Sequence, residues 1–308
     1  MKKITSTLLF LFLVISTIQA QDFKLFEISE VHDTTFFISL SDIYSPSDHP
    51  DSLAIPEDKR NLEHIVLGPE YRKHFLSKTK ISESDKIFIY NYVKNELLSF
   101  PIKKLEVVAN LSPYEIGGDT PHEQYDYMFG FQIDKTNIKD FEDKFYASVI
   151  YVGKENPFAQ KQLTPIVWKK ISAKEFPSKA INDIFGIFKE KYTIGNSHRF
   201  DYENMQYFIQ DFVRDNFTFA RRLLVVNSQT KKIFYEKMFH EGESDSLQEL
   251  NFASKEEGKN IANQWTGKLF KNKETALFGF EYHSFGCPYI MILDKKQSEV
   301  PIYCDNRH

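Results

Sequence analysis

The residues with the most reactive side chains lie near the C-terminus, in "EYHSFGCPYIMILDKKQSEVPIYCDNRH". His283 precedes Cys287 by four positions, and His308 follows Cys304 by four. Two imidazoles and two thiols form the ligand set of a structural zinc, which holds sulfur at about 2.3 Å and nitrogen at about 2.0–2.1 Å. A thiol beside an imidazole is also a nucleophile beside its base. The same two cysteines could instead close a disulfide.

Strand geometry separates these possibilities. Suppose "PYIMIL" (288–293) and "VPIYC" (300–304) form a hairpin around "DKKQ" (294–297). A turn centred between Lys295 and Lys296 then sets Cys287 opposite Cys304, and His283 opposite His308. Even spacing along each strand puts all four on one face. Opposed Cα atoms lie about 4.5–5.5 Å apart, a distance that a disulfide bridges. The histidines would lie roughly 13 Å further along, too far to share one ion. The sequence therefore predicts a structural disulfide, Cys287–Cys304. Metal ligation by His283, Cys287, Cys304 and His308 is the alternative, which a sharp bend at Gly286 would revive. Pro288 and Pro301 place the ribbon at a sheet edge. With the sulfurs bridged, His283, Asn306 and His308 would still share a face as candidate ligand-facing groups.

Other chemistry is sparse. "HEQYD" at His122 and "HEGES" at His240 begin like a zinc-protease helix but lack its second histidine. His122, Glu123, His240 and Glu241 are the polar clusters from which a hydrolase site could assemble. The chain has neither a G-x-S-x-G elbow nor a phosphate-binding G-x-x-x-x-G-K-[ST] loop. "DKTNIKDFED" (134–143) spaces its acids a little like a calcium loop but lacks the turn glycine, and reads as a helix N-terminus. Trp168 and Trp265 are the only tryptophans, beside 29 Phe and 16 Tyr. Rings at that density belong mostly to a core, and both tryptophans remain candidates for stacking on a ligand. No cofactor is implied.

The elements that must position these groups are mostly strands. Alternating or β-rich runs occur at 34–40, 86–92, 104–110, 127–133, 146–152, 163–170, 217–227, 232–239, 275–283 and 288–293. About three amphipathic helices are expected. The first starts at Ser178 after the capping box Ser172–Glu175, the second spans 201–216, and the third starts at Ser254. The stretch 41–70 is rich in Pro, Asp and Ser and reads as a surface excursion or linker. The expected fold class is α+β with mainly antiparallel sheets. A β-rich N-terminal half (21–171) precedes a helical connector and a β-rich C-terminal half (172–308). The halves share a weak likeness, since "YMFGFQID" in one answers "ALFGFEYH" in the other.

"MKK", an apolar run from Leu8 to Ile18 and a small residue at Ala20 have the form of a signal peptide over 1–20. The mature chain is then exported, periplasmic or secreted, with no stable membrane insertion after cleavage. Thirty-nine basic against 43 acidic residues give a net charge of −4, and losing Lys2 and Lys3 makes it more acidic. That balance and the scattered basic pairs, read as solvated strand and helix ends, argue against nucleic acid as a partner. The sequence points to an exported soluble binding or interaction protein for an unknown protein or small ligand, working through a sheet face or the 41–70 segment. The alternatives are an exported hydrolase with a site built from distant residues and a metal-binding protein using the C-terminal His/Cys cluster.

Overall fold

The computed structural model describes residues 23–31, 34–44, 55–138, 142–177, 191–252 and 262–306. Strands dominate it. A nine-stranded sheet curls into a half-barrel and takes its strands in the order 163–165, 265–267, 276–278, 289–292, 299–303, 25–26, 148–153, 86–91 and 96–101. Five of these precede residue 171 and four follow it, so one sheet draws on both halves of the chain. A second sheet of five strands orders 29–31, 35–39, 127–134, 106–111 and 64–66. A third is an up-and-down meander of 169–171, 193–202, 205–214, 217–227 and 233–240. A two-stranded ribbon pairs Asp245–Leu247 with Glu281–His283.

The cores follow from strand alternation. In Leu25–Phe26 and Lys86–Asn91, Leu25, Phe88 and Tyr90 face one side of the sheet, where they meet Trp265, Phe278 and Ile290. Phe26, Ile87 and Ile89 face the other side, in the core shared with the second sheet. The meander covers the far end, packing Tyr207, Leu223 and Tyr235 against Leu277 and Met291. Both faces of the half-barrel are thus buried, which explains its near-continuous apolar strands.

Among the described residues there is one α-helix, Pro69–Thr79, where three helices were expected. Proline at its first turn needs no N–H there, and Lys80 in the left-handed conformation closes it. Tyr71, Phe75 and Leu76 fix it to the second sheet's core. It is the only helix here, and it is too short to cross a membrane. The span 201–216, expected as a helix, is instead two strands, Thr193–Tyr202 and Met205–Arg214. Asp215 and Asn216, at φ 50° and 63°, then turn the chain into Phe217–Asn227, as tight hairpins demand of both central residues. The spans 178–190 and 253–261, with the other two expected helices, lie outside the described residues. The Ser172–Glu175 capping box is present but caps only a single 3₁₀ turn.

Two further expectations change. The 41–70 stretch is not a loose excursion where it is described, because Tyr44, Ile55 and Ile65 enter the core and 64–66 is a strand. Arg222 is no solvated end either. It is 2 % exposed and paired with Glu236 at 2.7 Å, while Arg221 pairs with Asp211 at 2.9 Å.

Candidate functional site

The C-terminal hairpin forms, but one residue out of the expected register. Tyr289 faces Pro301, Ile290 faces Val300 and Met291 faces Glu299. The strand 299–303 is also interior, because Ile302 and Tyr303 pair in parallel with Leu25 and Phe26. Pro301 is tolerated there because the parallel ladder starts one residue after it.

Cys287 and Cys304 are bonded, with Cα atoms 5.4 Å apart, and the Cys304 N–H points at Cys287 Sγ at 3.1 Å. Both sulfurs are therefore committed to each other, and the metal alternative has no thiolate ligand left. Replacing both cysteines by serine frees a loop spanning 17 positions and is expected to cost about 3 kcal/mol. A urea midpoint lowered to match, with faster amide exchange at Ile302 and Tyr303, would confirm it.

Gly286, at φ 148°, bends the chain out of the ribbon, and His283 pairs with Asp245 instead. The chain end turns the other way: Ser39 Oγ donates to Asp305 Oδ2 at 2.5 Å, and the Asp305 N–H donates to Asp42 Oδ2 at 2.8 Å. Asn306 is exposed, and His308 lies outside the described residues. Trp168 and Trp265 are core side chains, 2 % and 7 % exposed. Trp168 packs edge-on against Phe280, and Trp265 Nε1 donates to Ala262 O at 2.7 Å.

The residues that do converge lie where the half-barrel, the meander and the two-stranded ribbon meet. A cleft of ≈ 170 Å³ opens there. Its walls include Tyr92, Tyr146, Phe278 and Phe280, and its polar groups are Glu27, Ser148, Glu281, His283 and Tyr289. Glu281 and His283 sit two apart on one strand, which sends both side chains to the same face. His283 Nδ1 is 2.5 Å from Asp245 Oδ1, so its Nε2 is the nitrogen available to a ligand. Tyr289 donates its hydroxyl to Glu281 Oε2 at 2.9 Å and packs its ring beside that of His283 at 5.6 Å. Ser148 Oγ is buried and has no hydrogen-bond partner among the described residues.

Burial sets the electrostatics. It lifts the Glu281 carboxyl above its ordinary 4.5, although the Tyr289 hydroxyl, His283, Lys237 and the His240 backbone N–H all pull the other way. Glu27 is raised by burial first and by the neighbouring Asp42 carboxylate second. The Tyr289 phenol is pushed far up by burial and by Glu281, and Tyr92 rises to about 12 by burial. Both phenols therefore stay protonated at neutral pH.

A carboxyl raised by folding favours the folded state while it is protonated. Its contribution shrinks as pH climbs through 4.5 and is gone above the raised value. Glu281→Gln should therefore gain stability on wild type between about pH 4 and 7 and match it in more acid solution. Thermal midpoints of the two proteins across that range test this, and parallel curves would refute it.

The earlier polar clusters fall elsewhere. His122 is buried against Tyr127, with its backbone bonded to Arg60, and Glu123 pairs with Arg60. Glu241 accepts the Leu247 N–H at 3.0 Å, and the His240 backbone N–H bonds Glu281. None of the four lines the cleft. Glu281 and Tyr289 were passed over in the sequence, although the Glu-x-His spacing beside a strand tyrosine was the available signal. Set against protein-family models, curated proteins and solved structures, the chain finds no match.

Proposed function

We propose that the chain is an exported binding protein that holds a small ligand in the cleft at Glu281, His283 and Tyr289. One observation carries this: an aromatic-walled cavity collects a polar set that the fold itself leaves incompletely used. The Ser148 hydroxyl has no partner among the described residues, and two carboxyls are held raised by burial. Apolar walls with a few converging polar groups of shifted acidity are the usual make-up of a ligand site. At ≈ 170 Å³ the cavity is smaller than the roughly 300–1,000 Å³ of sites for drug-sized molecules, so its ligand is compact. The signal-like N-terminus supports export.

A ligand-observed NMR screen of small polar compounds on wild type and Ser148→Trp tests this reading. Hits should vanish when the tryptophan fills the cavity, and Tyr146→Ala, at an exposed wall residue, should weaken them without disturbing the core. Hits that survive in a folded Ser148→Trp protein would overturn it.

The Asp245–His283 pair favours a second reading, a hydrolase. A carboxylate that fixes one imidazole nitrogen leaves the other as a general base toward water. Turnover of an ester, amide or glycoside, lost in His283→Gln with the fold intact, would promote it over binding alone.

A further inference from the structure

The cleft's walls are rings and its ionisable groups are mainly acids. No lysine or arginine is among the described residues that line it. Lys237 lies nearby, 5.1 Å from the centre of the Tyr289 ring, but Glu299 holds it at 2.8 Å. An anion entering here would meet Glu27 and Glu281. A neutral molecule would offer the half-buried Glu281 and the exposed Glu27 no opposite charge. A cation would find both acid partners and ring faces, whose quadrupoles attract positive charge. We propose that the ligand of this cleft is a small organic cation of the ammonium class, seated between Tyr92, Phe278, Phe280 and Tyr289 with Glu281 and Glu27 as its counter-charges. The proposal rests on the cleft being a ligand site.

Proton linkage gives the proposal a signature. In the empty cleft, burial keeps Glu281 and Glu27 protonated to higher pH than usual. An arriving cation favours their ionised forms and so expels those protons. Affinity must then rise with pH through the window above 4.5 and level off once both carboxyls are ionised in the free protein. The groups facing them are Tyr289, His283, Lys237 and the His240 N–H around Glu281, and Asp42 beside Glu27.

The test is calorimetry on the folded full chain with choline and with its uncharged carbon isostere, 3,3-dimethylbutan-1-ol. Choline should bind at least about tenfold tighter than the isostere and tighter at pH 7.5 than at pH 5. Glu281→Gln should lose about tenfold in choline affinity and flatten the pH dependence, while keeping an acceptor for the Tyr289 hydroxyl. Equal binding of the isostere, abolished by Ser148→Trp, would leave the cleft as a ligand site and overturn the cation. Choline binding that Ser148→Trp and Glu281→Gln leave intact would place the cation elsewhere and overturn both readings. No binding of choline, ethanolamine or tetramethylammonium at millimolar concentration would overturn the cation class, while the compound screen decides the cleft.

Discussion

Gly279→Ala is expected to cost about 3 kcal/mol or more, far beyond an ordinary surface substitution. Gly279 ends the strand 276–278 at φ +85° and lines the cleft. A Cβ built there falls 1.9 Å from the Asn263 carbonyl oxygen and 2.7 Å from its carbon. Both are backbone atoms, so no rotamer change relieves the clash, and the positive φ adds its own penalty for an L-residue. The control is Gly242→Ala, where the nearest atom is the Asp245 carboxylate at 3.9 Å and the change should stay within about 0.5 kcal/mol. Urea unfolding of both variants measures the difference. A Gly279→Ala protein as stable as the control would show that the close approach of the two loops does not exist.

Gln264→Leu is expected to cost about 4 kcal/mol, with little change in side-chain volume. Gln264 is fully buried. Its Nε2 donates to the carbonyls of Glu249 and Gly279, each at 2.9 Å, and its Oε1 accepts the Asn251 N–H at 3.0 Å. Leucine would strand two carbonyls and one amide in the interior, at about 1–3 kcal/mol apiece. Asn251 extends the same network, donating to the carbonyls of Ile166 and Gln264 and accepting the Asn263 N–H at 2.7 Å. The two amide side chains thus stitch together four segments of the chain, at 166, 249–251, 263–264 and 279. A drop in urea midpoint would record the loss. If the drop corresponds to under about 1 kcal/mol, the network is not structural.

Much of the strand map was legible because aromatic and β-branched residues concentrate in the strands. Phe217–Asn227 has the limits its aromatic and β-branched residues implied, and Lys86–Asn91 lies within the run expected at 86–92. Met205–Arg214 was misread because both of its faces are buried. Tyr207 and Ile209 face the half-barrel while Phe208 faces Leu224 and Phe176, so apolar residues crowd together and Met205, Phe208, Ile209 and Phe212 mimic a helical stripe. The run 275–283 breaks at Gly279 into strands of two different sheets, whereas 127–134 runs unbroken through one. The likeness of the halves therefore does not extend to their structure.

The disulfide was legible from spacing. The cleft was not. Glu281, His283 and Tyr289 are near in sequence, but Glu27, Ser148 and Asp245 reach them only through strand order, which local pattern does not record. The one-residue change of register and the bend at Gly286 turned His283 away from the cysteines and toward Asp245.

The parallel rung of Leu25–Phe26 with Ile302–Tyr303 has a consequence for how the molecule is made. Strands from the two ends of the described chain lie side by side in the middle of the half-barrel, with the 148–153 strand beyond them. A ribosome releases the first partner long before the second. The half-barrel therefore stays an open seam, with Leu25 and Phe26 lacking Ile302 and Tyr303 beside them, until the last strand arrives. Non-local closure of this kind is slow. A chain that cannot zip shut early leaves the Leu25–Phe26 edge unpaired for most of its synthesis.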